Sequence, residues 1–283
     1  AKKEKFKNLV VYDAINKILI KNKVLAPKLY YKNYHKNYIE IEDFGNETFH
    51  NLLNKKRKNQ FSYFKKIIGL LIKIQSIKNR KIKTFNNKSY LVPKYDNTIL
   101  INETNLFCDW YVKKNLSKKN VIKFSKEFKK IIKKLCKNLK LKNNIFVHRD
   151  FHVSNLMLVK KNIGIIDSQD SLIGNGAYDL ASLIDDVRLK TSKSLKNKTF
   201  DFYLKKQKKM NIVKFKNDFE ILSVLRNLKI IGIFTRLAIR DRKKNYLKLI
   251  PHAWELINMR INKNNTFYDL RKLLIKYFRR KII

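Results

Sequence analysis

An α+β chain, with a small mixed lobe ahead of a larger and mostly helical one, is predicted by three observations. A helical stripe at residues 6–22 is followed by an alternating strand at 38–42. A strand, a polar loop and a hairpin occupy residues 145–166. Nearly everything else apolar recurs at helical spacing.

In the first stripe Leu9, Val10, Ala14, Ile15 and Ile18 share one face, and Pro27 ends the region. Tyr38-Ile-Glu-Ile-Glu alternates as a half-buried strand does, and Asp43, Phe44 and Gly45 then turn into a helix starting near Thr48. Phe61, Phe64, Ile67, Ile68, Leu71 and Ile72 keep the 3.6-residue period over 58–78. Further helices are expected at 105–115 and 121–138, then at 176–189, 197–209, 213–239, 243–261 and 266–281. No internal repeat is present, and the Lys/Asn-rich patches read as surface loops.

The 283 residues are 44% hydrophobic and 12% aromatic, a globular composition able to bury a full core. The net charge of +44 would attract nucleic acid, anionic membrane or polyphosphate. The basic residues are spread along the chain, however, and Lys far outnumbers Arg, while Asn and Ile, which share A/T-rich codons with Lys, are also abundant. A composition bias therefore accounts for the charge better than a nucleic-acid surface, which would recruit Arg. The scarce acids are more informative: Asp150, Asp167, Asp170, Asp179, Asp185 and Asp186 crowd one stretch. Cys108 and Cys136 have no metal or paired-cysteine spacing and read as buried thiols in a reducing compartment. With no membrane-length apolar run and no N-terminal signal, the expectation is a cytoplasmic protein with no membrane partner and nucleic acid unlikely.

The chemistry lies in residues 146–155, FVHRDFHVSN, and in the IDSQD of residues 166–170. Residues 145–147 form a buried strand, so His148 to Asn155 is the loop leaving it. Strands at 156–159 and 163–166, joined through Lys160, Lys161 and Asn162, return Asp167 to the neighbourhood of Asn155. Phosphoryl transfer asks for a hydroxyl aligned with a terminal phosphate and for cations that neutralise phosphate charge. Asp150 would take the hydroxyl proton, Asn155 and Asp167 would hold Mg²⁺ through oxygen, and His148 would brace the catalytic loop.

These residues resemble the aminoglycoside phosphotransferase/choline kinase-like family, and within it the bacterial kinases that phosphorylate N-acetylmuramate and N-acetylglucosamine at the anomeric hydroxyl during peptidoglycan recycling. The likeness runs through IEDFG at 41–45, LFCDWY at 106–111, VHRDFH at 147–152, IDSQD at 166–170, AYDLASL at 177–183 and LKIIGIFTR at 228–236. It implies a two-lobed protein-kinase-like fold, with residues 1–45 as the remnant of an N-terminal lobe and its hinge and 46–283 as the catalytic lobe. It implies ATP and Mg²⁺ as cofactors, a sugar as the small-molecule partner, and Glu42, Asp43 and Phe44 as the nucleotide hinge.

The resemblance also places Asp109, Trp110, His152, Gln169, Asp170 and Arg236 around the sugar. Plainer roles stand beside these: core packing for the aromatics at 107–111, a loop hydrogen bond for His152, solvation for Arg236 and Arg240, and a structural Asp179 holding the loop that bears Asp167. Ser168 and Gln169 stand where protein kinases carry Phe-Gly, which argues against a peptide substrate. The first glycine is Gly45, so no glycine-rich phosphate loop precedes the hinge, and the small lobe is expected to be trimmed or reduced. Other acceptors of this family (an aminoglycoside or a choline-like alcohol), a non-catalytic pseudokinase and a basic RNA-associated protein are the alternatives.

Overall fold

The computed structural model describes residues 3–33, 36–207, 210–262 and 264–282. In chain order its elements begin with α1 (Lys3–Lys21), β1 (Leu29–Asn33), β2 (Tyr38–Ile41), α2 (Phe49–Lys55), α3 (Gln60–Gln75), β3 (Lys81–Lys83) and β4 (Ser89–Leu91). Next come α4 (Asn97–Leu106), a π-helical turn at Phe107–Val112, α5 (Lys113–Asn115) and α6 (Lys118–Lys137). The central strands are β5 (Ile145–Val147), β6 (Leu156–Val159), β7 (Asn162–Ile165) and β8 (Leu172–Gly174). The remaining helices are α7 (Ala177–Ile184), α8 (Lys193–Lys205), α9 (Ile212–Ile239), α10 (Ile250–Ile261) and α11 (Tyr268–Phe278).

Contacts group these into two compact units, Ala1–Lys94 with Lys142–Lys209, and Tyr95–Leu141 with Met210–Ile283. The boundary expected at residue 45 falls inside the first unit. Among the described residues that unit holds four antiparallel two-stranded ladders: β1 with β2, β3 with β4, β5 with β8, and β6 with β7. In the β6–β7 hairpin Leu156 faces Ile165 and Val159 faces Asn162, with Lys160 at positive φ in the turn. Its core includes Ala14, Ile15 and Ile18 from α1 and Phe64, Ile67, Ile68 and Leu71 from α3, the two stripes read from spacing.

The second unit is helical and closes around rings. Phe107 stacks on Tyr111 with centroids 5.3 Å apart, and Phe124, Phe128, Trp254 and Phe278 complete the cluster. α9 lies against the π-turn so closely that a Cβ on Gly232 would collide with the Leu106 carbonyl. No helix among the described residues is long and apolar enough to cross a membrane.

Several boundaries differ from the periodicity, each for a local reason. α4 begins at Asn97 because Asp96 caps it, accepting the Ile99 N–H at 2.9 Å. α7 stops at Ile184, where the carbonyl is taken by Lys196 Nζ at 2.5 Å. α8 starts at Lys193 on the Ser192 cap, and residues 208–209 of the helix expected there lie outside the described residues. α10 starts at Ile250 with Pro251 in its first turn, after a 3₁₀ stretch over Lys244–Leu249. Strands β3, β4 and β8 are three residues each, too short for alternation to stand out, and β1 does not alternate, with its three middle residues all exposed.

Candidate active site

The loop after β5 is held by its backbone. Asp179, fully buried in α7, accepts the N–H groups of His148 at 2.7 Å and Arg149 at 2.9 Å through its two carboxylate oxygens. Asp179 is structural, as one of the sequence readings had it, but the loop that it grips carries Asp150 rather than Asp167. Arg149 is at φ +72°, a conformation unusual for a long side chain, and the paired N–H bonds help to hold it there. His152 N–H donates to the Asp150 carbonyl at 3.0 Å, Asn155 N–H donates to the His152 carbonyl at 2.9 Å, and the Asn155 amide donates to the Asp150 carbonyl at 3.1 Å. With its NH₂ bonded to the loop, Asn155 has its side-chain oxygen as the group to offer a cation.

The hairpin joins the second carboxylate to this loop. Ile166 N–H donates to the Asn155 carbonyl at 3.1 Å, and Asp167 follows in the left-handed region at φ 58°. Partial burial first, then the Asp150 and Asp170 carboxylates, hold the Asp167 carboxyl above its ordinary range. The set suits a hard divalent cation, with oxygen donors only and a concentration of negative charge on which protonation is the alternative to metal binding. Among the described residues no group of three or more His, Cys, Asp and Glu is arranged to hold a metal. An Asn–Asp pair that fills out its shell with phosphate oxygens and water is a usual way to hold Mg²⁺ at a nucleotide site.

His148 is fully buried. Burial pushes its imidazole down to about 4, against the opposing pull of the Asp150 carboxylate and the Ile166 and Asp150 backbones, so it is neutral at pH 7 and out of reach of a substrate. His152 is buried beside it in sequence. Arg149 donates to the Asp170 carbonyl at 3.0 Å and lies 3.8 Å from the Asp170 carboxylate, so Asp170 is tied to the loop after β5.

A cavity of about 500 Å³ opens beside Asp167. Glu42, Asp43, Phe44, Met157, Ile166 and Gln169 are among its lining, which brings residues 42–44 and Gln169 to the Asp167 turn. Asp43 accepts the Gly45 N–H at 2.8 Å and so closes the turn after β2, with Gly45 at φ +75°. The Phe44 ring lies on Gly164, where a Cβ would come within 2.6 Å of it; only glycine leaves that space.

Asp109, Trp110 and Arg236 are in the second unit. Asp109 is exposed, 3.8 Å from Lys113, while Phe107 and Tyr111 of the same turn are in the ring cluster, so core packing holds for those two aromatics. Arg236 is half-buried on α9, with no hydrogen-bond partner for its buried Nε.

Sequence reasoning missed the contribution of α1. Tyr12 lines the cavity, and Asn16 accepts from Ser168 Oγ at 2.5 Å while donating to the Pro27 carbonyl at 3.1 Å, which anchors the residue after Asp167. The available signal was the run of polar positions Tyr12, Asp13 and Asn16 beside the apolar stripe, on a helix where Asp13 and Asn16 are both buried.

Comparison with known proteins gives the family and the fold. A family model described as the phosphotransferase enzyme family matches residues 22–210. The chain is 28% identical over 236 residues to an N-acetylmuramate/N-acetylglucosamine kinase of Neisseria meningitidis, covering 81% of this chain and 68% of that one. It is 26% identical to the protein of the same name from Pseudomonas aeruginosa, covering 89% and 73%. Among solved structures it is similar to a choline/ethanolamine kinase family protein from Mesorhizobium loti, with a TM-score of 0.61 at 11% identity over 95% of this chain and 82% of that one. An ethanolamine kinase from Plasmodium vivax gives a TM-score of 0.59 at 16% identity over 99% and 75%. These likenesses show the α+β, protein-kinase-like fold that the sequence predicts. The chain belongs to the phosphotransferase enzyme family and is a small-molecule kinase.

Proposed function

We propose that the chain transfers the γ-phosphoryl group of ATP to an amino sugar, with N-acetylmuramate or N-acetylglucosamine as acceptor and the anomeric hydroxyl as nucleophile. The observation that carries this reading is the junction of two turns. The Ile166–Asn155 backbone bond and the influence of Asp150 on Asp167 put the carboxylates and the amide of both turns into one neighbourhood.

In this reading Asp150 accepts the proton of the sugar hydroxyl as its oxygen bonds to the γ-phosphorus, and the bridging oxygen leaves on ADP. Asn155 and Asp167 would hold Mg²⁺, which would supply neutralisation of the phosphate charge. Residues 42–44 seat the base in the cavity. His148 stays neutral and keeps the loop in place, and His152, Gln169 and Asp170, all in the first unit, are the sugar-binding candidates. An ATP-dependent reaction also fits a cytoplasmic location.

Charge favours the sugar over an aminoglycoside. With 22 acids against 66 bases the chain has few carboxylates to build a cleft for a polycation, whereas the anionic lactyl sugar would be drawn in. The kinase-named relatives point the same way.

The test is ³¹P NMR of the protein with ATP, Mg²⁺ and each sugar. A new phosphate monoester that requires all three supports the reading. Turnover of choline or an aminoglycoside but of no amino sugar would overturn the substrate, and absence of transfer to any acceptor would leave the non-catalytic alternative.

A further inference from the structure

We propose that the outer faces of α6 and α11 form a docking surface for an anionic phospholipid bilayer. The two helices are neighbours within the second unit. Phe124 of α6 meets Tyr277 and Phe278 of α11 with ring centroids 5.4 and 5.6 Å apart, and Lys134 bonds Asp269 at 2.8 Å.

Their inner and outer faces divide cleanly. In α6 Phe124, Phe128, Ile131, Ile132, Leu135 and Cys136 are buried. Lys119, Lys123, Lys126, Lys130, Lys133 and Lys137 recur at three- and four-residue steps on the opposite side, and all are exposed. α11 and the turn after it add Arg271, Lys272, Lys276, Arg279, Arg280 and Lys281, also exposed.

Density separates this surface from the general basicity of the chain. Lys118–Lys137 and Tyr268–Lys281 carry 15 Lys and Arg against Glu127 and Asp269, net +13 over 34 residues, compared with +44 over 283 for the whole chain. That is more than twice the average charge per residue. The lysines that look scattered along the sequence are therefore gathered here by helical periodicity.

Two features select lipid over nucleic acid. α6 contains nine Lys and no Arg, and the whole surface twelve Lys against three Arg, which suits diffuse attraction to a negative surface better than bidentate phosphate or base contacts. Among the charges two large apolar groups face outward, Ile122 at 71% and Tyr268 at 66% exposure, placed to enter the headgroup region. Ile122 lies on one row with Lys126, Lys129 and Lys133. Adsorption of this kind needs no spanning helix.

The experiment is vesicle flotation of the full chain at about 0.15 M salt, with phosphatidylcholine alone or with about one-third phosphatidylglycerol. The expected result is binding to the anionic vesicles only. Changing Lys119, Lys123, Lys126, Lys130, Lys133 and Lys137 to Gln should weaken it at least about tenfold. The same change at Lys81, Lys83, Lys88, Lys160, Lys193 and Lys205, all exposed in the first unit, should leave it within about twofold. Circular dichroism checks that both variants keep the fold, and I122S should weaken binding without altering its salt dependence. Failure to bind anionic vesicles, an equal loss in both lysine variants, or tighter binding of RNA than of vesicles through the same lysines would overturn the proposal.

Discussion

Asp179 in the first unit and Asp218 in the second are both fully buried, and each accepts two successive backbone N–H groups. Asp179 takes those of His148 and Arg149, while Asp218 takes those of Lys140 and Leu141, both at 2.8 Å. The physics is the same: charge-assisted bonds satisfy donors that have no ladder or helix partner at a chain reversal. The segments that they hold differ. Past Leu141 the chain runs into the polar Lys142, Asn143 and Asn144, whereas past Arg149 it runs into Asp150. A brace of one kind therefore holds a polar connection in one place and, in the reading proposed above, the loop that bears the proton acceptor in the other.

Four tests, with five substitutions, bear on that contrast. The largest effect is expected from Asp150→Asn, which keeps the loop but removes the proton acceptor. It should lower kcat by about two to four decades in a sugar-kinase assay without moving the unfolding midpoint. Second, Asp179→Asn and Asp218→Asn should each cost about 2–3 kcal/mol in denaturant unfolding, because each weakens two bonds to a buried carboxylate. Only Asp179→Asn should also reduce kcat, by at least about tenfold, since it loosens the loop that bears Asp150. Equal kinetic effects from the two would remove the distinction.

The third change concerns pH. The folded His148 has its pKa depressed from 6.5 to about 4, so its contribution to stability is present above pH 6.5 and is lost as the pH falls towards 4. Unfolding free energy measured across that window should decline on acidification, and His148→Gln should flatten the decline. The smallest effect is expected from Gly164→Ala. A methyl group there displaces the Phe44 ring and should raise the KM for ATP a few-fold with kcat unchanged.

How much of this was legible in the sequence depends on the range of the interaction. Helical stripes such as that of α3 are local periodicities, and they located the first-unit core. The carboxylates were legible because a hairpin with a two-residue reversal at Lys160 and Lys161 fixes where Asp167 returns. The grip of Asp179 on the Asp150 loop joins residues 31 positions apart, and spacing alone assigned it to the wrong turn. The Asn16–Ser168 bond spans 152 positions and left no local trace beyond a polar residue on a buried helix face. The lysine face of α6 is itself a local periodicity, and only its junction with α11, through Phe124 and Tyr277, depends on packing.

The central claim, that Asn155 and Asp167 share a nucleotide-bound divalent cation beside Asp150, is tested most directly by electron paramagnetic resonance titration of Mn²⁺ with a non-hydrolysable ATP analogue. The account predicts a nucleotide-dependent Mn²⁺ site in the wild type, weakened at least about tenfold by Asn155→Ala or Asp167→Asn and unchanged by Asp109→Asn. Mn²⁺ binding indifferent to both Asn155 and Asp167 would contradict it.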